Sequence, residues 1–179
     1  WICTFSNNQH RKDEEVGPSW SESSFYLALC SGSLRGTCMI VDEEALPLTR
    51  SWCLFELLQT FMLMERGGAA AADGVKFEGL LLCSSTGVLN LGQASVDVSL
   101  GIARRLKTLS LKDAEASKKA DKEMIDDLVI EKMGDFTTIN KKLFSNLNAA
   151  LRAAQSATNA EFAAVMRDAQ PSITRAASV

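Results

Sequence analysis

Residues 36–68, "GTCMIVDEEALPLTRSWCLFELLQTFMLMERGG", decide how this chain is read. The run at about 37–42 is apolar and short, which suits a core strand. The acidic group "DEE" follows it. Then comes the most apolar stretch of the sequence, 46–68. Thr49 is placed to cap a helix there, because its hydroxyl can accept a first-turn amide. Gly67 and Gly68 are placed to end it, since glycine takes the left-handed conformation of a helix stop. One carboxylate, Glu56, interrupts the apolar run. An ionised carboxylate buried without a partner is costly, so Glu56 asks for a role: reaching water at the helix margin, pairing with Arg50 or Arg66, or chemistry.

Working outward, "WICTF" (1–5) reads as an earlier strand and 11–20 as a charged loop. Residues 21–33 read as a short helix capped by Ser21 and stopped at Gly32. "AAAADG" (69–74) reads as a connection and "FEGLLLCSS" (77–85) as a third strand. The order β-α-β-α-β with continuously apolar strands predicts a parallel sheet covered on both faces. The chain starts at Trp1 with no initiator methionine or targeting segment, so it reads as a fragment whose sheet is incomplete on its N-terminal side.

The second half is helical in pattern. In 95–109, Val96, Val98, Leu100, Ile102, Ala103, Leu106 and Leu109 favour one helix, although "VDVSL" alone has strand alternation. In 117–134, Ser117 is a cap, Gly134 a stop, and Ala120, Met124, Ile125, Leu128 and Val129 form one stripe. Asp135 caps a helix over 135–155 with Phe136, Ile139, Leu143, Phe144, Leu147 and Leu151 on one face. A last, weaker helix is expected over 158–171, ended by Pro171. The domain reading is therefore 1–92 as the α/β part, 93–170 as a helical extension and 171–179 as a frayed tail.

Composition narrows the function. With 179 residues, 46% hydrophobic and 23% charged, the chain can bury an ordinary globular core. A net charge of −3 argues against nucleic acid as the partner. No run of 18 apolar residues exists, so no membrane span is expected. Five cysteines, an odd number with no C-x-x-C pair, read as reduced core residues in a reducing compartment, the cytoplasm. The single histidine, His10, leaves no zinc set. It also leaves hydrolase triads without an evident acidic partner. No Gly-rich phosphate loop or G-x-S-x-G elbow is present. The three carboxylates at 42–44 are adjacent and cannot all point one way, so they suit capping of the next turn better than magnesium. No metal site is expected.

In an open parallel sheet, ligands bind at the carboxyl ends of the strands. That edge would gather Asn7 and Asn8, Asp42, and Ser84. The helix starting near Thr49 would present free amides there, with Arg50 adding a cation for an anion. Trp52 and Glu56, four residues apart, share one face of that helix. An indole beside a carboxylate would suit a nucleotide.

The segment "TRSWCLFEL" (49–57), within 36–61, resembles the central strand and following helix of TIR domains, the Toll and interleukin receptor signalling fold. Trp52, Cys53, Leu54, Glu56 and Leu57 match in place. The resemblance covers roughly 1–66 and is specific over 49–57. It implies a flavodoxin-like sheet and a signalling or scaffold module that works through self-association or a protein partner. Some TIR domains cleave the nicotinamide–ribose bond of NAD+ with the glutamate of this helix, so the resemblance also implies Glu56 as a catalytic carboxylate, with NAD+ as substrate and no separate cofactor. A TIR domain's own first strand and helix have no counterpart here. Residues 95–155 resemble instead proteins of unicellular algae, dinoflagellates especially. Two functions therefore stand open: an association module, and an NAD+ hydrolase.

Overall fold

The computed structural model of the chain describes residues 19–65, 77–93 and 95–169. The strand expected at 1–5, the polar residues Asn7, Asn8 and His10, the stop at Gly67–Gly68 and the tail from 171 lie outside them. Within the described residues the protein is mixed α/β, mostly helical, with one small three-stranded sheet.

A 3-10 turn, Trp20–Glu22, leads into α1, Ser24–Cys30. The cap is Ser23 rather than Ser21: the Ser23 hydroxyl accepts the Tyr26 amide at 3.2 Å. The 3-10 turn uses up the residues before it. Strand β1 is Thr37–Ile40. A second 3-10 turn, Leu46–Thr49, precedes α2, Ser51–Glu65. Thr49 does not cap α2, because its hydroxyl donates back to the Leu46 carbonyl at 2.8 Å and closes the 3-10 turn.

Strand β2, Leu80–Ser84, lies between β1 and the two-residue β3, Gly87–Val88. The amides of Thr37 and Val41 donate to the carbonyls of Gly79 and Cys83 at 2.8 and 2.7 Å. Donor and acceptor advance in the same direction, so β1 and β2 are parallel. β3 pairs with β2 antiparallel through a tight turn, Ser84 opposite Gly87. The sheet is therefore mixed rather than wholly parallel. The short hairpin was illegible because β3 is too brief to show a period. Where β3 ends, the Asn90 side chain takes over and accepts the Leu82 amide at 2.8 Å.

The helical half comprises α3 (Val96–Leu106), α4 (Lys119–Met133) and α5 (Phe136–Ala169). Residues 96–106 are one helix, as the length argument prefers, and Ser95 caps it by accepting the Val98 amide at 3.3 Å. Lys118, not Ser117, is the residue before α4, and it makes no side-chain cap. Gly134 stops α4 at φ 84°. Asp135 caps α5 through the Thr138 amide and hydroxyl at 2.8 and 2.7 Å. These bonds hold its carboxyl below the usual carboxylate range.

The two helices expected at 135–155 and 158–171 are one helix of 34 residues, about 51 Å long. Residues 155–158 contain no glycine or proline to break it. Thr158 folds its hydroxyl onto the Ala154 carbonyl at 3.1 Å, a bond compatible with a continuous helix.

The described residues divide into two compact units, residues 19–38 with 56–65 and 77–80, and residues 39–55 with 81–93 and 95–169. In the first, Trp20, Leu29, Leu57, Leu58, Phe61 and Leu80 are buried. Trp20 packs against Phe25 and Tyr26 at ring separations of 5.7 and 5.9 Å. Gly79, at φ +90°, lets the backbone pass Met64, whose Cε lies 2.7 Å from where a Cβ would sit. In the second, Leu82, Leu89, Ile102, Leu111, Ile125, Ile139, Leu143 and Leu147 have no measurable exposure. Each such side chain contributes about 1.5–3 kcal/mol by leaving water. The expectation of core cysteines is corrected: Cys30 and Cys38 are exposed, Cys53 and Cys83 half-buried, and none of the four is in a disulfide. Strand β1 alternates exposed and half-buried residues, and this turns Cys38 out.

Candidate functional site

The loop after β1 sets the geometry around α2. The Asp42 carboxylate accepts the Leu46 amide at 3.1 Å, so it caps the following turn. Ala45 is fully buried with φ 51°, a left-handed conformation unusual outside glycine. Two contacts from α3 hold the loop. Arg105 Nε donates to the Glu44 carbonyl at 2.8 Å. Gly101 lies against the Glu43 backbone, where a Cβ would come within 2.8 Å of the Glu43 carbonyl carbon. Among the described residues no three His, Cys, Asp or Glu side chains converge as a metal set would require.

Because β1 and β2 are parallel and adjacent, Asp42 and Ser84 fall at the same edge of the sheet. Ser84 belongs to the β2–β3 turn, where its hydroxyl accepts the Thr86 amide at 3.2 Å. Asn7 and Asn8, expected at this edge, lie outside the described residues.

The start of α2 is engaged by the chain's own residues 114–121. Arg50 and Glu115 form a parallel bridge. The Ser51 amide donates to the Glu115 carbonyl at 2.8 Å, and the Glu115 amide donates to the Thr49 carbonyl at 2.9 Å. The buried Ser51 hydroxyl donates to the Ala114 carbonyl at 2.8 Å. Trp52 Nε1 donates to the Asp121 carboxylate of α4 at 3.0 Å. The segment itself is pinned at Leu111, whose amide donates to Asn140 Oδ1 at 2.9 Å and whose carbonyl accepts Lys122 Nζ at 3.0 Å. Carbonyl oxygens of the protein thus meet the helix end at Ser51. Removing the indole donor with Trp52→Phe leaves Asp121 short of one partner. The expected loss is about 1–2 kcal/mol in denaturant unfolding, and an unchanged midpoint would show that the bond contributes nothing.

Glu56 lies one turn beyond Trp52 on α2. Its carboxylate has no hydrogen-bond or ion-pair partner among the described residues; only its carbonyl is used, accepting the Thr60 hydroxyl at 3.0 Å. Thr60 in turn bonds Thr37 at 3.0 Å. Glu56 is half-buried, and the apolar side chains of α2 flank it in sequence. Desolvation raises its pKa from 4.5 to about 7. A carboxyl titrating near neutrality can give or take a proton under working conditions.

Two hollows stand out among the described residues of the second unit. One, of about 130 Å³, is lined by Thr49, Arg105, Thr108, Ser110, Asp113 and Glu115 among others. The larger, of about 320 Å³, is an apolar groove between α3 and α5, lined by Leu89, Val96, Leu100, Leu151 and Ala154 among others. Neither is lined by Arg50, Trp52 or Glu56. Of the groove's lining, Val96 and Leu100 are exposed by 68 and 45%. On the last turns of α5, Phe162, Val165 and Met166 are exposed by 66, 58 and 52%. Sequence reasoning did not gather these residues into one surface, because it broke α5 at 155–158. The signal was there: Leu151, Ala154, Thr158, Phe162 and Val165 keep helical spacing across the supposed break.

Among the described residues no helix is long and apolar enough to cross a membrane. Compared with known protein families, curated proteins and solved structures, the chain finds no match.

Proposed function

We propose that this chain is a TIR-like signalling or scaffold module that works through protein–protein association, its small sheet being part of a flavodoxin-like one. The observation that carries the reading is the apolar surface of the second unit. Val96 and Leu100 of α3 line a groove of about 320 Å³ together with Leu151 of α5, and Phe162, Val165 and Met166 stand exposed on the later turns of α5. Isolated apolar side chains at a surface are ordinary, but a contiguous set around a concave groove marks an interaction site. Cys30 and Cys38, exposed and not in a disulfide, suit a reducing, cytoplasmic setting.

The test compares the full wild-type chain with Leu100→Glu, at a position 45% exposed. Wild type should self-associate or retain a partner in pull-down, and Leu100→Glu should lose it. Equal behaviour of the two would sink the assignment of this surface.

A second reading, NAD+ hydrolysis at the nicotinamide–ribose bond, is favoured by one observation: the unpartnered, desolvated Glu56 carboxylate. In it, Glu56 holds the ribose hydroxyls or stabilises positive charge developing on the sugar. Nicotinamide release from NAD+ by wild type, lost in Glu56→Ala, is its signature. No release at high protein concentration removes it.

A further inference from the structure

The smaller hollow of the second unit, about 130 Å³, lies where the end of α3 meets Thr49 and the segment 110–115. Charges of both signs line it: Arg105, half-buried, and Asp113 and Glu115, both exposed. None of the three is in an ion pair among the described residues, where the pairs are Lys119–Glu123 and Lys122–Asp126. Opposite charges around so small a hollow attract each other and would close up unless something held them. They are held. Arg105 Nε donates to the Glu44 carbonyl at 2.8 Å, which fixes the stem and leaves the two terminal nitrogens unspent among the described residues. The Asp113 amide donates to the Ser110 hydroxyl at 3.3 Å. The Glu115 amide and carbonyl are bonded to Thr49 and Ser51 at 2.9 and 2.8 Å. Neither carboxylate has a hydrogen-bond partner among the described residues.

We propose that this hollow binds a small α-amino acid, its carboxylate on the Arg105 guanidinium and its ammonium on the Asp113 and Glu115 carboxylates. The lining selects this class. A lone anion such as phosphate would meet Arg105 but also two carboxylates. A lone cation would meet the guanidinium. A ligand carrying both signs a few bonds apart is attracted by every charge present. The planar guanidinium donates in a fork that matches a carboxylate, and an ammonium brings three donors for carboxylate oxygens. The Ser110 hydroxyl accepts the Asp113 amide and keeps its own proton to donate, which suits a hydroxyl on the ligand. Size agrees. The hollow of about 130 Å³ has the volume of about four waters, below the roughly 300 Å³ at which pockets for larger ligands begin. It admits glycine or serine and excludes a nucleotide. Leu48 and Ala114, both buried, add an apolar wall. Because the backbones are already fixed, little ordering is left to do on binding. The site stands apart from the association reading, since no residue lines both hollows.

The experiment is calorimetric titration of the full chain with L-serine and glycine, beside acetate, ethylammonium and inorganic phosphate. L-serine should bind saturably, and the three singly functional ions at least about tenfold more weakly. Arg105→Lys keeps the charge and loses the fork, so it should weaken L-serine at least about tenfold. That variant also disturbs the bond to Glu44, so a second one is needed. The double variant Asp113→Asn, Glu115→Gln removes two exposed charges and leaves the backbone bonds of the segment in place. It should melt as wild type does and lose at least about tenfold in L-serine affinity. No saturable binding of L-serine or glycine at millimolar concentration overturns the site. Phosphate or acetate binding as tightly as L-serine overturns the ligand class. Wild-type affinity in the double variant overturns the placement. A chain that binds L-serine yet never associates would remove the association reading and keep this one.

Discussion

Glu56→Gln stabilises the fold at neutral and alkaline pH. The carboxyl titrates near pH 7 in the folded protein against 4.5 for an unperturbed glutamate, because the fold withdraws it from water and supplies no partner among the described residues. Between these two values the folded state holds a proton that the unfolded state has released. Stability therefore falls as pH rises through this window, and it levels off above about 7, where both states are ionised. The loss has an upper bound of about 3 kcal/mol, at about 1.4 kcal/mol per pH unit. Partial access of Glu56 to solvent brings it nearer 2 kcal/mol. Glutamine keeps the shape and carries no charge, so the variant should show no such fall. Its denaturant midpoint should exceed that of wild type at pH 8, and the gap should close near pH 4.5. A glutamine variant weaker than wild type at pH 8 would mean that the carboxylate has a stabilising partner. A gain in stability accompanied by loss of nicotinamide release would mark Glu56 as a charge kept for chemistry.

Gly101→Ala is expected to be among the most damaging single changes in the helical half. Alanine is the better helix former by about 1 kcal/mol in an exposed helix interior. Gly101 is buried in α3, and an added methyl would collide with the Glu43 backbone, which is carbonyl and not a flexible side-chain end. The loop cannot yield easily. Ala45 already holds φ 51°, Asp42 caps Leu46, and Arg105 grips the Glu44 carbonyl. Overpacking of this kind costs about 1–3 kcal/mol or more. The net result should be a lower unfolding midpoint, despite the gain in helix propensity. An alanine variant as stable as wild type would show that α3 and the 42–45 loop can part without cost.

These two residues show what the sequence made legible. Glu56 stood out because a lone carboxylate in an apolar run breaks a pattern, and its desolvation follows from the same residues. The apolar strands at 37–42 and 77–85 and the helices around 51–65, 96–106 and 119–133 were legible from run length and period. Gly101 was not, since a helical glycine announces a close approach only when its neighbour is known, and Glu43 is distant in sequence. The engagement of the α2 start was hidden for the same reason: Ala114, Glu115 and Asp121 reach Ser51 and Trp52 across more than sixty residues. The β2–β3 hairpin was too short to show alternation. The unity of α5 was obscured at 155–158, where the sequence read as a break and where Thr158 is accommodated by a hydroxyl-to-carbonyl bond. Reading a break there also split the apolar stripe that now carries the functional reading.

The central claim is that the apolar surface of α3 and α5 is an association surface. Sedimentation of the full wild-type chain beside Leu100→Glu, over a wide concentration range and with candidate partners from pull-down added, tests it most directly. The account predicts a species heavier than 19.4 kDa for wild type and loss of that species in the variant. Identical sedimentation of the two proteins, alone and with partners, would contradict it.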